Sequence, residues 1–313
     1  IYADKNNRPA AYNKDNVPYH PKHWAPGSLQ GYKQRDFPMT IGYPGSTSRY
    51  LSSYGIRERR DALNAPRAQV RGVKQDVMTR HMRASEAVRI KYDSKFAQSA
   101  NYWKNSIGMN KCIDSIGLIA QKQRYEDIIR HWQDSTSYLK GQLDFVKMAR
   151  LYNERFEPRK AAMYFQETFL RTNELTTRAM KAVTGTTKKD KKGDYVTFAD
   201  NSNTWDASLD KDVQAVLLKN YREHVDAKYL PAFYQIIDKK FGGDYQKYVN
   251  YLWETSALMK KDAKVYVTKK AIKKDAGLQY GAQLKAMREV FNHALDATRD
   301  SIDNQERMLC AAK

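Results

Sequence analysis

Asp36-Phe37-Pro38-Met39-Thr40-Ile41-Gly42-Tyr43-Pro44-Gly45 alternates apolar side chains at Phe37, Met39 and Ile41 and then runs into Tyr-Pro-Gly. Period-two alternation closed by turn residues predicts a half-buried strand and a hairpin, with residues 47–56 as the return strand. Pro38 lacks the ladder donor, which sets this strand at a sheet edge or starts it there. Upstream, Pro18, Pro21 and Pro26 stiffen residues 17–31 into an extended strap.

Beyond residue 56 the strand signal stops and the period becomes helical. Val70, Val73, Val77, Ala84, Val88 and Tyr92 share one stripe and predict one long helix to about Phe96. Tyr125, Ile128, Trp132, Leu139, Leu143 and Val146 predict a second. Pro158 suits a first helical position, with Ala162, Phe165, Phe169 and Met180 leading to a stop at Gly185. Residues 186–208 read as a surface loop with a short strand at 195–198. A further helix carries Leu209, Val213, Val216, Leu217 and Tyr221, and others run from about Leu230 to Phe241, from Tyr245 to Leu258 and from Leu278 to the end. The fold class is mainly α, an irregular helical bundle of about seven helices over residues 57–313, preceded by a short β segment over 1–56.

Composition narrows the function. A chain of 313 residues with 41% hydrophobic residues can bury two domain cores. The charge of +20 suits anionic partners, but Lys and Arg are distributed among Asp and Glu along nearly every helix. That pattern argues against nucleic acid and for a solvated surface, including the dense run at 188–193. No apolar stretch reaches the eighteen or so residues that span a membrane. Cys112 and Cys310 lack metal-site spacing, and two separate buried thiols are favoured over one long-range disulfide. His20 and His23 are turned apart by Pro21, and His81, His131, His224 and His293 stand singly, so no metal and no cofactor are expected. No Ser is followed by Gly, so the nucleophile turn of a serine protease is missing.

Ser99-Ala100-Asn101-Tyr102-Trp103-Lys104-Asn105 sets two amides and two aromatics within five residues. An Asn carbonyl accepts from an ammonium group without adding a buried charge. On the residues alone, the favoured reading is that Asn101 caps or satisfies a helix end, with Tyr102 and Trp103 in the core. The aromatics Trp24, Tyr43 and Tyr50 are read as core, and with Arg49 are given no role.

The hairpin resembles the first hairpin of the second β-barrel in trypsin-like proteases. Four stretches occur together in one order: Ile1-Tyr2-Ala3-Asp4-Lys5-Asn6-Asn7-Arg8-Pro9-Ala10-Ala11-Tyr12, Val17-Pro18-Tyr19-His20-Pro21-Lys22-His23-Trp24, Gly42-Tyr43-Pro44-Gly45 with Arg49-Tyr50, and the Ser99 to Asn105 motif. Together they resemble the bacterial dipeptidyl-peptidase 7 and dipeptidyl-peptidase 11 family of serine exopeptidases. Family members commonly carry Gly-Asp before the hairpin, where Arg35 precedes Asp36 here.

The resemblance implies that residues 1–56 belong to a chymotrypsin-like double β-barrel and 57–313 to an inserted helical lid over the cleft. It implies a central portion of a longer enzyme, whose catalytic His and Asp precede Ile1 and whose Ser follows Lys313. It also implies peptide substrates with a free amino terminus, Asn101 helping to bind that α-amino group, a homodimer, and a periplasmic or cell-surface location. The alternative is a basic helical binding or dimerisation domain without a catalytic role.

Overall fold

A computed structural model describes residues 2–312 except 34, 38–41, 43–47, 49 and 171. The chain divides into two compact units, Ile1–Thr47 and Ser48–Lys313.

In the first unit, strand β1 (Tyr2–Ala3) pairs antiparallel with β2 (Val17–Pro18), Tyr2 opposite Pro18. Between them Asp4 closes a turn by accepting from the backbone N–H groups of Asn6 and Arg8, both at 2.8 Å. Asn7, in the left-handed region at φ 61°, then brackets His20: its Nδ2 donates to the His20 carbonyl (2.6 Å) and its Oδ1 accepts from the His20 N–H (2.9 Å). These bonds tie the strap to the first turn. Trp24 is 73% exposed here, not core, because Ala3 is the single buried apolar side chain among the described residues of this unit.

Of the hairpin expected over 31–56, residues 34, 38–41, 43–47 and 49 lie outside the described residues, Tyr43 and Arg49 among them, and none of its described residues is in a strand. Its far end is corrected: residues 53–56 are helical, within α1 (Ser53–Arg57). The cause is a cap. Ser52 Oγ accepts from the Gly55 N–H at 3.1 Å, and a serine so placed starts a helix. Two glutamates hold this start. Glu126 accepts from the N–H and hydroxyl of Ser53 at 2.6 and 2.7 Å, and Glu306 from those of Ser52 at 2.9 and 2.5 Å. Tyr50, 52% exposed, is not core either.

A π-helical segment, Glu58–Asn64, leads into α2 (Ala65–Ala84). The single long helix expected to Phe96 is two helices, because Ser85 is extended and its Oγ caps α3 (Glu86–Ser115) by accepting from Val88 N–H. The second predicted helix also divides, into α4 (Leu118–Thr136) and α5 (Phe145–Phe169), across left-handed turns at Ser137, Leu139 and Gly141. Pro158 lies inside α5, and α6 (Glu174–Thr184) has its own start at the Asn173 cap. Residues 186–208 hold more structure than a loop: β3 (Lys188–Asp190) and β4 (Gly193–Phe198) pair with the unforeseen β5 (Ala263–Tyr266) as an antiparallel sheet. Helices α7 (Ala207–His224), α8 (Phe233–Phe241), α9 (Tyr245–Thr255), α10 (Lys269–Lys274) and α11 (Ala276–Ala311) complete the unit. The expected helical bundle stands, with eleven helices rather than seven among the described residues.

The main core is aromatic. Phe169 packs on Tyr221 at 4.9 Å, Phe233 on Tyr280 at 4.9 Å and Phe165 on Phe291 at 5.4 Å between ring centroids. A second core gathers Ile129, Met148, Tyr152, Ile302 and Leu309 from α4, α5 and α11, with Leu143 from the α4–α5 connection. Cys112 and Cys310 are free, and both are exposed rather than buried.

Candidate functional site

Helices α2 and α3 are joined by the single residue Ser85 and fold back on one another as an antiparallel pair. Contacts along the pair fix the register of α3. Arg71 Nη1 donates to the Ser99 carbonyl at 3.4 Å, and its guanidinium lies 4.9 Å from the centroid of the Tyr102 ring. The Trp103 indole covers Gly72, where an added Cβ would stand 3.4 Å from Nε1. Further along, Asn64 Nδ2 donates to Asn110 Oδ1 (2.8 Å), Asn110 Nδ2 to the Arg60 carbonyl (3.0 Å), and Arg60 pairs with Asp114 (2.9 Å).

Asn101 stands within the first set of contacts, between Ser99 and Tyr102. It is exposed, in mid-helix, and its carboxamide bonds to no described residue. A helix-capping role is thereby excluded. The structure also places Tyr102 at 47% exposure, stacked on Arg71 rather than in the core. Asn105 is one turn on along the same exposed face.

Beneath this face lies a buried ion cluster that the sequence reading missed. Glu167 of α5 accepts from Arg67 Nε (3.0 Å) and Arg71 Nε (2.7 Å) and is itself nearly inaccessible. Removing either kind of partner from such a buried cluster would leave the other without its hydrogen bonds. Its one sequence signal is an acid inside the apolar run that carries Phe165 and Phe169. Deeper, Asp210 of α7 accepts from Tyr92 OH (2.5 Å) and the Glu174 N–H (2.7 Å), joining α3, α6 and α7. Burial pushes the Asp210 carboxyl up to about 6 and the Lys74 ammonium down to about 8.

His81 pairs with Asp212 at 2.9 Å, and His224 stacks on Tyr164 at 5.5 Å. Among the described residues no three His, Cys, Asp or Glu side chains are grouped to hold a metal ion, and no helix is long and apolar enough to cross a membrane. The arrangement therefore presents a neutral hydrogen-bonding amide, with a free acceptor oxygen, on a braced helix above a charged cluster. The oxygen of such an amide can accept a hydrogen bond from a donor such as an ammonium group.

A family model described as Peptidase S46 matches residues 1–313. Dipeptidyl-peptidase 7 of Porphyromonas gingivalis is 36% identical over 323 residues, covering 99% of this chain and 45% of that protein. The Asp/Glu-specific dipeptidyl-peptidase of Capnocytophaga gingivalis is 31% identical over 307 residues, covering 92% and 42%. Among solved structures, Porphyromonas endodontalis DPP11 in complex with the dipeptide Arg-Glu superposes with a TM-score of 0.71 at 22% identity, over 100% of this chain and 47% of that one. The chain thus spans about half the length of the relatives that it matches.

Proposed function

Because the chain belongs to the Peptidase S46 family, we propose that it is the central portion of a serine dipeptidyl-peptidase, which releases dipeptides from the free amino terminus of peptides. Residues 1–56 contribute to a chymotrypsin-like barrel. Residues 57–313 form a helical lid over the cleft, and the catalytic triad lies outside the 313 residues. The lid makes the enzyme an exopeptidase by limiting how far substrate extends beyond the cut and by anchoring the α-amino group. That is a matter of positioning rather than of new bond chemistry. The intact enzyme acts in the periplasm or at the cell surface, as a homodimer.

The observation that carries this reading is the unengaged Asn101 carboxamide on the braced α2–α3 pair. In the full-length enzyme, Asn101→Ala removes one charge-assisted hydrogen bond, of about 1.5–3 kcal/mol. kcat/KM on dipeptidyl substrates accordingly falls about tenfold to a hundredfold, while the folded structure persists. An unchanged kcat/KM eliminates the anchor. Loss on Asn105→Ala instead moves the role one turn along the helix.

A further inference from the structure

Residues 188–192 and 260–274 contain eleven lysines, no arginine and two aspartates. They are distant in sequence and adjacent in the fold. Strands β4 and β5 pair with Thr197 opposite Lys264, and the Val267 N–H donates to the Asp194 carbonyl at 2.9 Å. Thr268 lies against Gly193, where its methyl would stand 2.7 Å from an added Cβ. This contact sets the β3–β4 turn, with Lys191 and Lys192, beside the first turn of α10, with Lys269 and Lys270.

The acids that accompany these lysines in sequence are turned to internal use. Asp190 accepts from Lys264 Nζ at 2.7 Å and Tyr266 OH at 2.9 Å. Asp262 accepts from the Asp200 N–H at 3.0 Å, and Asp275, which follows the second stretch, caps α11 through Leu278 N–H (2.9 Å) and accepts from the Ser256 hydroxyl (2.8 Å). Lys191, Lys192, Lys269, Lys270, Lys273 and Lys274 remain exposed, and none pairs with a described acid. In α10, Ala271 and Ile272 pack toward the core, leaving 269 with 273 and 270 with 274 as like-charged pairs one turn apart. Such pairs repel one another unless an external anion lies over them.

We propose that this lysine surface docks the protein on an anionic phospholipid membrane. Lysine ammonium groups are mobile point charges suited to a diffuse sheet of headgroups, whereas fixed recognition of nucleic-acid phosphates favours the planar arginine fork. Aromatic platforms for bases are also taken: Lys264 Nζ lies 4.0 Å from the Tyr195 centroid and 5.4 Å from that of Tyr266.

The test is co-sedimentation of the intact protein with phosphatidylcholine vesicles, with and without phosphatidylglycerol. The wild type is expected to bind only the anionic vesicles and to be released by salt. Joint replacement of Lys191, Lys192, Lys269 and Lys270 by Glu is expected to weaken binding by more than about a hundredfold. Replacement by Gln, with no new charge, gives a smaller loss in the same direction. Joint replacement of the exposed Lys140, Lys147, Lys239 and Lys240 by Glu, the same change of net charge elsewhere, is expected to retain binding. Equal loss in both glutamate variants, or no binding to anionic vesicles, overturns the proposal. Tighter binding of a DNA duplex through the same four lysines reassigns the surface to nucleic acid and overturns it as well.

Discussion

The Arg71 guanidinium lies 4.9 Å from the centroid of the Tyr102 ring while its Nε donates to Glu167 at 2.7 Å. One cation thereby links a helix carrying an exposed candidate ligand to the buried acid of a third helix. Tyr102 adjoins Asn101, so the stack governs how firmly that part of α3 is held.

Replacing Tyr102 by Ala removes the ring and about 1 kcal/mol of cation–π attraction. In the full-length enzyme, kcat/KM for dipeptide release is expected to fall severalfold with a small loss of Tm. Tyr102→Phe keeps the ring and is expected to match the wild type in both. Equal loss in the two variants assigns the role to the hydroxyl instead.

Glu167→Gln leaves Arg67 and Arg71 partly buried without a counter-charge. Breaking a buried ion cluster at one member costs about 3 kcal/mol or more. Urea denaturation is expected to show a loss of that size, and stability equal to wild type contradicts the structural role assigned to Glu167.

Glycine to alanine should act with opposite signs at two helical sites. At Gly281 an added Cβ would stand 2.7 Å from the Ala179 carbonyl oxygen, a backbone atom that cannot yield without shifting α6 from α11. Overpacking there costs about 2 kcal/mol. At Gly108 of α3 nothing lies within 4 Å of the added Cβ, and the gain in helix propensity stabilises by about 0.5–1 kcal/mol. Thermal denaturation of the two variants reads both signs.

Asp210 supplies a pH dependence. Its carboxyl is pushed by burial from 3.8 up to about 6. Above that value the folded state bears the full penalty of a buried charge. Between about 6 and 3.8 the folded protein holds a proton that the unfolded chain does not, so this contribution to stability rises as the pH falls. The total gain is about 3 kcal/mol. Asp210→Asn lacks this dependence, and urea unfolding on either side of the window should show the wild type gaining on the variant in acid. Lys74 acts in the other direction: burial pushes it from 10.5 down to about 8, and its penalty is relieved as the pH rises through that interval.

Much of the helical unit was legible because an amphipathic stripe is a local pattern. Val70, Val77 and Tyr92, all expected on one apolar face, are all buried. The break between them was not legible, since Ser85 can cap a new helix or continue the old one, and the packing of α3 back on α2 selects the cap. Pro158 was misplaced for a related reason. Proline suits a first turn in isolation, whereas here the apolar contacts of α5 carry the helix through it. At the candidate site Asn101 was legible as a residue type and a motif position. Its exposure, its free carboxamide and the Arg71–Glu167 brace beneath it were not.

By itself, the amino-acid sequence determined the helical character of residues beyond 56, the excess of positive charge, the lack of a serine-protease nucleophile turn and the resemblance to a family of dipeptidyl-peptidases. Each is carried by neighbours in the chain or by residue order. Only the tertiary structure decided that Glu167 meets arginines about a hundred positions away, that Glu126 and Glu306 hold the start of α1, and that lysines interleaved with aspartates form an uncompensated cationic surface. Such pairings leave no periodic trace, because an acid is assigned to a partner by the packing of helices and strands and not by its distance along the chain.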